Sequence, residues 1–165
     1  MTFKELLIKL DACERAKECV GDMTIEELVA TCDRGDWGLW IAKKVDVDLR
    51  LRTLAKGHCA NTVRHLMKDE RSLNAVDVAI AFGEGKATRE ELDAAAYAAA
   101  YAADAAAADA YAAAAAAFVA YAAADAAIAT ADAYAAAANR QQAADICHQY
   151  IGEALIEKVN QLLTK

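Results

Sequence analysis

Residues 94–138 hold 32 alanines in 45 positions, with no Gly, Pro, Lys or Arg among them. Alanine loses no side-chain entropy in a helix and offers the backbone no competing hydrogen bond, so the stretch predicts helix throughout. Tyr97, Asp104, Tyr111, Phe118, Asp125 and Asp132 interrupt it at intervals of seven. An ideal helix drifts only about 20° per heptad, which keeps these six residues on one face. The small side chains let helix axes approach below the usual separation of about 8–10 Å, so the Ala-rich helix is expected to pack against a neighbour. Its Tyr rings would then fill gaps at the margins.

The rest of the chain also reads as helix. There is no proline, and Ser/Thr-x-x-Glu capping boxes open segments at Thr2, Thr24 and Thr88. The apolar spacing predicts a first helix over about residues 3–19, ended by Gly21, and a short second one reaching Cys32. Gly35 is expected to make a turn at positive φ. Asp36 then caps a helix from Trp37, and Trp37 and Trp40 serve as core anchors. A basic helix follows from Asp46 or Asp48 to about Met67. Its inner stripe is Val47, Leu51, Leu54, Ala55, Cys59, Val63 and Leu66, with His58 and His65 on one face and its cations on a solvated one. A turn over residues 68–72 leads to another helix ending at Phe82. From Arg89 onward the 77 residues contain one glycine, Gly152. A single helix of that length would reach about 115 Å, so the segment folds back or projects as a rod, and Asn139 is a candidate αL cap. The last stripe, Ala144, Cys147, Ile151, Leu155, Val159 and Leu162, should cover the N-terminal helices. Together these readings predict an all-α bundle of six to eight helices. It forms one domain over residues 1–165, with N-terminal helices to residue 87 and the long Ala-rich and C-terminal helices from residue 88.

Charge narrows the function classes. Residues 1–88 carry 14 Lys/Arg against 15 Asp/Glu, and residues 89–165 carry 4 against 10, which sums to the net −7. Binding to DNA or RNA needs clustered cations, and the long helix has none between residues 94 and 138. The acidic half suits a basic protein partner or solubility. No uncharged, strongly apolar window approaches the roughly 20 residues of a membrane span. The N-terminus reads as an amphipathic helix, not as a leader, so a cytoplasmic protein is expected. Five cysteines, Cys13, Cys19, Cys32, Cys59 and Cys147, form no CxxC pair and read as reduced thiols. The doublets His58-Cys59 and Cys147-His148 could meet as zinc ligands, but adjacent helical residues point about 100° apart, and no metal or cofactor is expected. Gly83-Glu84-Gly85-Lys86 lacks a phosphate-loop frame. Asp104, Asp125 and Asp132 lie too far apart along one helix to act as a carboxylate pair, so no enzyme is expected.

Residues 34–40 (RGDWGLW), 69–75 (DERSLNA) and 85–92 (GKATREEL) running into repeated Tyr-Ala-Ala units carry a resemblance. In this order the chain is similar to the Ala-rich all-helical immunity-protein family of bacterial polymorphic toxin systems, also found in phages. The resemblance implies a non-enzymatic, cytosolic inhibitor that neutralises another protein by binding it, with a phage counter-defence inhibitor as the close variant. The alternative is a structural protein that self-assembles through the Ala-rich face as a homo-oligomer. For an inhibitor, the candidate contact residues are Tyr97, Tyr101, Asp104, Tyr111, Phe118, Tyr121, Asp125 and Asp132. Tyr supplies wide amphipathic contact at low entropy cost, and Asp adds complementarity toward a basic toxin or defence protein.

Overall fold

The computed structural model describes residues 1–67, 69–105 and 133–164, and for residues 101–105 and 133–139 the backbone only. The described residues form eight α-helices and no strand. In chain order these are α1 Phe3–Lys9, α2 Glu14–Val20, α3 Ile25–Thr31, α4 Gly35–Lys44, α5 Leu49–Asn61, α6 Glu70–Gly83, α7 Arg89–Ala105 and α8 Ala133–Leu163. The chain is an all-α bundle, and no described helix is long and apolar enough to cross a membrane.

All three capping boxes form. The Thr2, Thr24 and Thr88 hydroxyls accept from the Glu5, Glu27 and Glu91 amides, and each Glu carboxylate accepts from the threonine's own amide. Each box satisfies two helix-start donors that would otherwise face only water.

Helix ends depart from the periodic reading because the chain stops helices with left-handed residues. The expected first helix over residues 3–19 is two helices. Asp11 takes φ 62°, its amide donates to Ile8 and the Ala12 amide donates back to Leu7 at 3.0 Å. That is a Schellman stop, sealed by contact between buried Leu7 and Ala12. Asp46 does the same after α4 at φ 56°, with the Val47 amide on the Ala42 carbonyl at 2.8 Å and both of those side chains fully buried. Gly85 ends α6 in the same way at φ 79°. Asp tolerates this conformation better than most residues, through its short polar side chain.

Other boundaries shift as well. Helix α5 ends at Asn61 and not near Met67, where the Thr62 hydroxyl bonds the Cys59 carbonyl at 2.7 Å. A 3-10 turn over Arg64–Leu66 follows. Its tighter winding takes Leu66 off the inner stripe to 61% exposure and leaves Met67 against the core. Helix α6 starts earlier than the turn reading placed it, because Asp69 caps it through the Arg71 amide. The Arg71 guanidinium beside Asp69 lowers that carboxyl to about 2. Asn139 lies inside α8 and ends nothing.

The centre of the bundle is α8. Its stripe of Ala144, Cys147, Ile151, Leu155 and Val159 is buried to 2% exposure or less, as the apolar spacing requires, while Leu162 is half-buried. The stripe meets Leu7 of α1, Ile25 and Leu28 of α3, Ile41 and Ala42 of α4, and Ala55 and Cys59 of α5 in one cluster. Each fully buried Leu or Ile there contributes roughly 1.5–3 kcal/mol. Helix α5 packs in turn on α6, and α6 on α7. The Ala-rich helix α7 thus has its close neighbour: Ala95 and Ala99 sit against Ala75 and Val78 of α6.

Small residues set these seams. Gly35 lies inside the first turn of α4, without the expected positive φ. A Cβ there would fall 2.8 Å from the Ala143 carbonyl oxygen of α8. Between α5 and α6, a Cβ on Gly57 would lie 2.8 Å from Ile80 and one on Gly83 would lie 2.8 Å from the Leu54 Cα. Gly38, one turn after Gly35, has nothing within 4 Å of such a Cβ. Gly35→Ala should therefore destabilise the protein by roughly 1–3 kcal/mol, while Gly38→Ala stabilises it by about 0.5–1 kcal/mol through helix propensity. Urea unfolding of the two variants separates them; equal shifts would contradict the close approach at Gly35.

Candidate functional site

Helix α4 brings Trp40 half-buried against the core cluster and leaves Trp37 half-buried outside it. Asp36 does not cap a helix at Trp37: the helix begins at Gly35, and Arg34 holds the cap position without capping it through its side chain. Asp36 instead pairs with Arg34, whose Nε donates to Oδ1 at 2.7 Å and whose Nη2 donates to Oδ2. The same guanidinium lies 4.9 Å from the Trp37 ring centroid, and the Lys44 ammonium lies 5.3 Å from that of Trp40. Both indoles are only half-buried. They line a cleft of about 340 Å³ with Leu7 and Asp11 at the end of α1, Ala16 and Val20 of α2, and Leu28 of α3. The core-anchor expectation holds in part: Trp40 packs against the core cluster from its edge, and Trp37 does not join it. The α4 residues that do reach the core are Leu39, Ile41 and Ala42.

The expected contact stripe is described only at its start. Tyr97 stands on α7 at 74% exposure, the most exposed of the large apolar side chains among the described residues. Tyr101 and Asp104 belong to the α7 backbone. Tyr111, Phe118, Tyr121, Asp125 and Asp132 lie outside the described residues.

The two His-Cys doublets meet through their cysteines alone. Cys59 and Cys147 are buried free thiols, and the Cys59 Sγ donates to the Ala143 carbonyl at 3.7 Å. The neighbouring Cys59 side chain, followed by burial, pushes the Cys147 thiol well above the ordinary range. His58 stacks on Tyr150 with centroids 4.5 Å apart and rings nearly parallel at 4°. His148 turns to another seam, beside Cys32 and Arg34, where burial holds its imidazole below the usual value. His65 is exposed on the 3-10 turn and shares no helix face with His58. Among the described residues no three His, Cys, Asp or Glu side chains converge to hold a metal ion.

The cations of the basic helix work between helices. Arg50 donates to the Phe82 carbonyl at the end of α6 and lies 4.5 Å from the Phe82 ring. Just after α5, Arg64 grips Asp77 with two bonds of 2.6 and 2.8 Å. Burial, then the nearby charges of Arg52 and Lys43, lower the Lys56 ammonium. For Arg50 and Arg64, then, the expected solvated partners four residues along are replaced by partners on α6.

Sequence reasoning missed the cleft itself. The signal available was Trp37 and Trp40 on one face together with an Asp at position 11, just past α1, a weak cue without the αL geometry. No family model, no curated protein and no solved structure matches the chain.

Thiol chemistry checks this placement. Of the five cysteines, Cys13 and Cys19 are exposed and should react rapidly with a maleimide in the native protein. Cys59 and Cys147, both buried, should react only on unfolding. Modification of Cys147 at the rate of Cys19 would contradict the buried pair.

Proposed function

We propose that this chain is a non-enzymatic protein that neutralises another protein by direct binding, an immunity-protein-like inhibitor or its phage counter-defence counterpart. The observation that carries the reading is Tyr97, a large aromatic side chain left 74% exposed on an ordered, acidic helix. Tyr is enriched where proteins meet, because its rigid ring gives contact area and its hydroxyl a hydrogen bond. One helical turn and two turns further along the same helix come Tyr101 and Asp104, and the net charge of residues 89–165, 4 cations against 10 anions, favours a basic target. The resemblance carried by residues 34–40, 69–75 and 85–92 points the same way. Tyr111, Phe118, Tyr121, Asp125 and Asp132 would extend the surface. Self-assembly through the Ala-rich face is the weaker reading, since Ala95, Ala96 and Ala99 of α7 are already buried.

The test is capture from a host lysate followed by titration of the captured partner. Tyr97→Ala combined with Asp104→Ala should leave the melting temperature within about 2 °C and weaken the partner about tenfold at low salt. Two contacts of about 0.5–1 kcal/mol each give that factor. The loss should shrink at high salt, where the Asp104 part is screened. Unchanged affinity at low salt would place the binding surface elsewhere.

A further inference from the structure

The cleft beneath Trp37 and Trp40 has the dimensions and chemistry of a small-ligand site, and the protein-binding reading makes no use of it. Its volume of about 340 Å³ lies within the roughly 300–1,000 Å³ of sites that enclose small molecules, which are apolar with a few placed polar groups. Leu7, Val20, Leu28 and Ile41 supply the apolar wall, and among the described residues the only charged ones lining it are Asp11 and Asp36. Asp36 is neutralised by the two bonds from Arg34. Asp11 enters no ion pair among the described residues, and the Schellman stop fixes its backbone at the mouth of the break between α1 and α2.

We propose that this cleft binds a small amphiphilic organic cation, an aromatic ammonium whose ring enters between the indoles and whose charge faces Asp11. The site is built beforehand. Arg34 covers part of Trp37 while gripping Asp36, and Lys44 sits at Trp40, so both indoles are held by cations of the chain itself and lose little freedom on binding. A carboxylate ligand of the same shape would meet the Asp11 carboxylate, Asp36 being already paired with Arg34. A neutral one would gain the apolar contact alone. Charge, and not shape, therefore sets the preference.

The chain has two tryptophans, and both line the cleft. The two indole N–H resonances of isotope-labelled protein thus report this site with no background. Titration with 2-phenylethylammonium should shift both resonances saturably. The neutral match 2-phenylethanol should bind about two- to fivefold more weakly, the worth of one exposed charge pair, and 3-phenylpropionate more weakly still. Asp11→Asn keeps the αL backbone, which Asn tolerates, so the fold is retained and the melting curve should be unchanged. In that variant the ammonium should bind only as well as the alcohol does. No saturable shift with the ammonium, equal binding of the ammonium and the carboxylate, or an Asp11→Asn variant that binds the ammonium as the parent does would each overturn the proposal. None of these outcomes bears on capture of a protein partner through α7.

Discussion

Three helices meet at one peptide group, and the bundle is arranged around that meeting. The carbonyl of Ala143 on α8 accepts from the Cys59 thiol of α5 at 3.7 Å. From the other side it faces Gly35 of α4, where a Cβ would lie 2.8 Å away. A helix backbone admits two neighbours at the same residue only where the contacting side chains are absent or very small. Gly35, Ala143 and Ala144 meet that condition, and from this point α8 carries Cys147, Ile151, Leu155 and Val159 between α4, α5 and α3. Interiors pack at crystal-like density, so a junction this tight fixes the crossing of all three helices at once.

The second organising device is the left-handed aspartate. Asp11 and Asp46 each end a helix, Asp11 where apolar periodicity alone would continue it, and each places the following residue, Ala12 or Val47, in the core. The stop at Asp46 turns the chain from α4 into α5, which lets both reach α8. The stop at Asp11 separates α1 from α2 and leaves the Trp37 and Trp40 rings half-covered at the edge of a cleft. One backbone choice thus gives both a core contact and an opening.

Much of the fold was legible because it rests on local chemistry. Three Thr-x-x-Glu boxes became three helix starts, since a capping box needs only its own four residues. The α8 stripe came out at its predicted positions because a helix buried along its length keeps the period of its apolar residues. The αL stop at Asp11 was not legible. An Asp adopts that backbone only when the next residue finds a buried place, and that is decided by helices far away in the chain. Gly35 showed the same limit: as a letter it signals a turn, and its role is to leave room for α8. Trp37 and Trp40 have core spacing, but only Trp40 packs against the core cluster. Of the candidate contact stripe, Tyr97 is exposed on α7. Its exposure depends on which face α6 covers, and an alanine helix with similar faces all round does not announce that in its sequence.

The account makes α8, anchored at the Ala143 junction, the last element to come apart. Native-state hydrogen exchange measures this directly, because each amide reports the free energy of the smallest opening that exposes it. The amides of Cys147, Ile151, Leu155 and Val159 should exchange only by global unfolding, together with those of Cys59 and Ala60 on α5, while α2 and α7 open at lower free energy. If instead the α8 amides exchanged through a smaller opening than those of α6 or α7, the bundle would not be built around α8, and the junction at Ala143 would be a consequence of the fold and not its support.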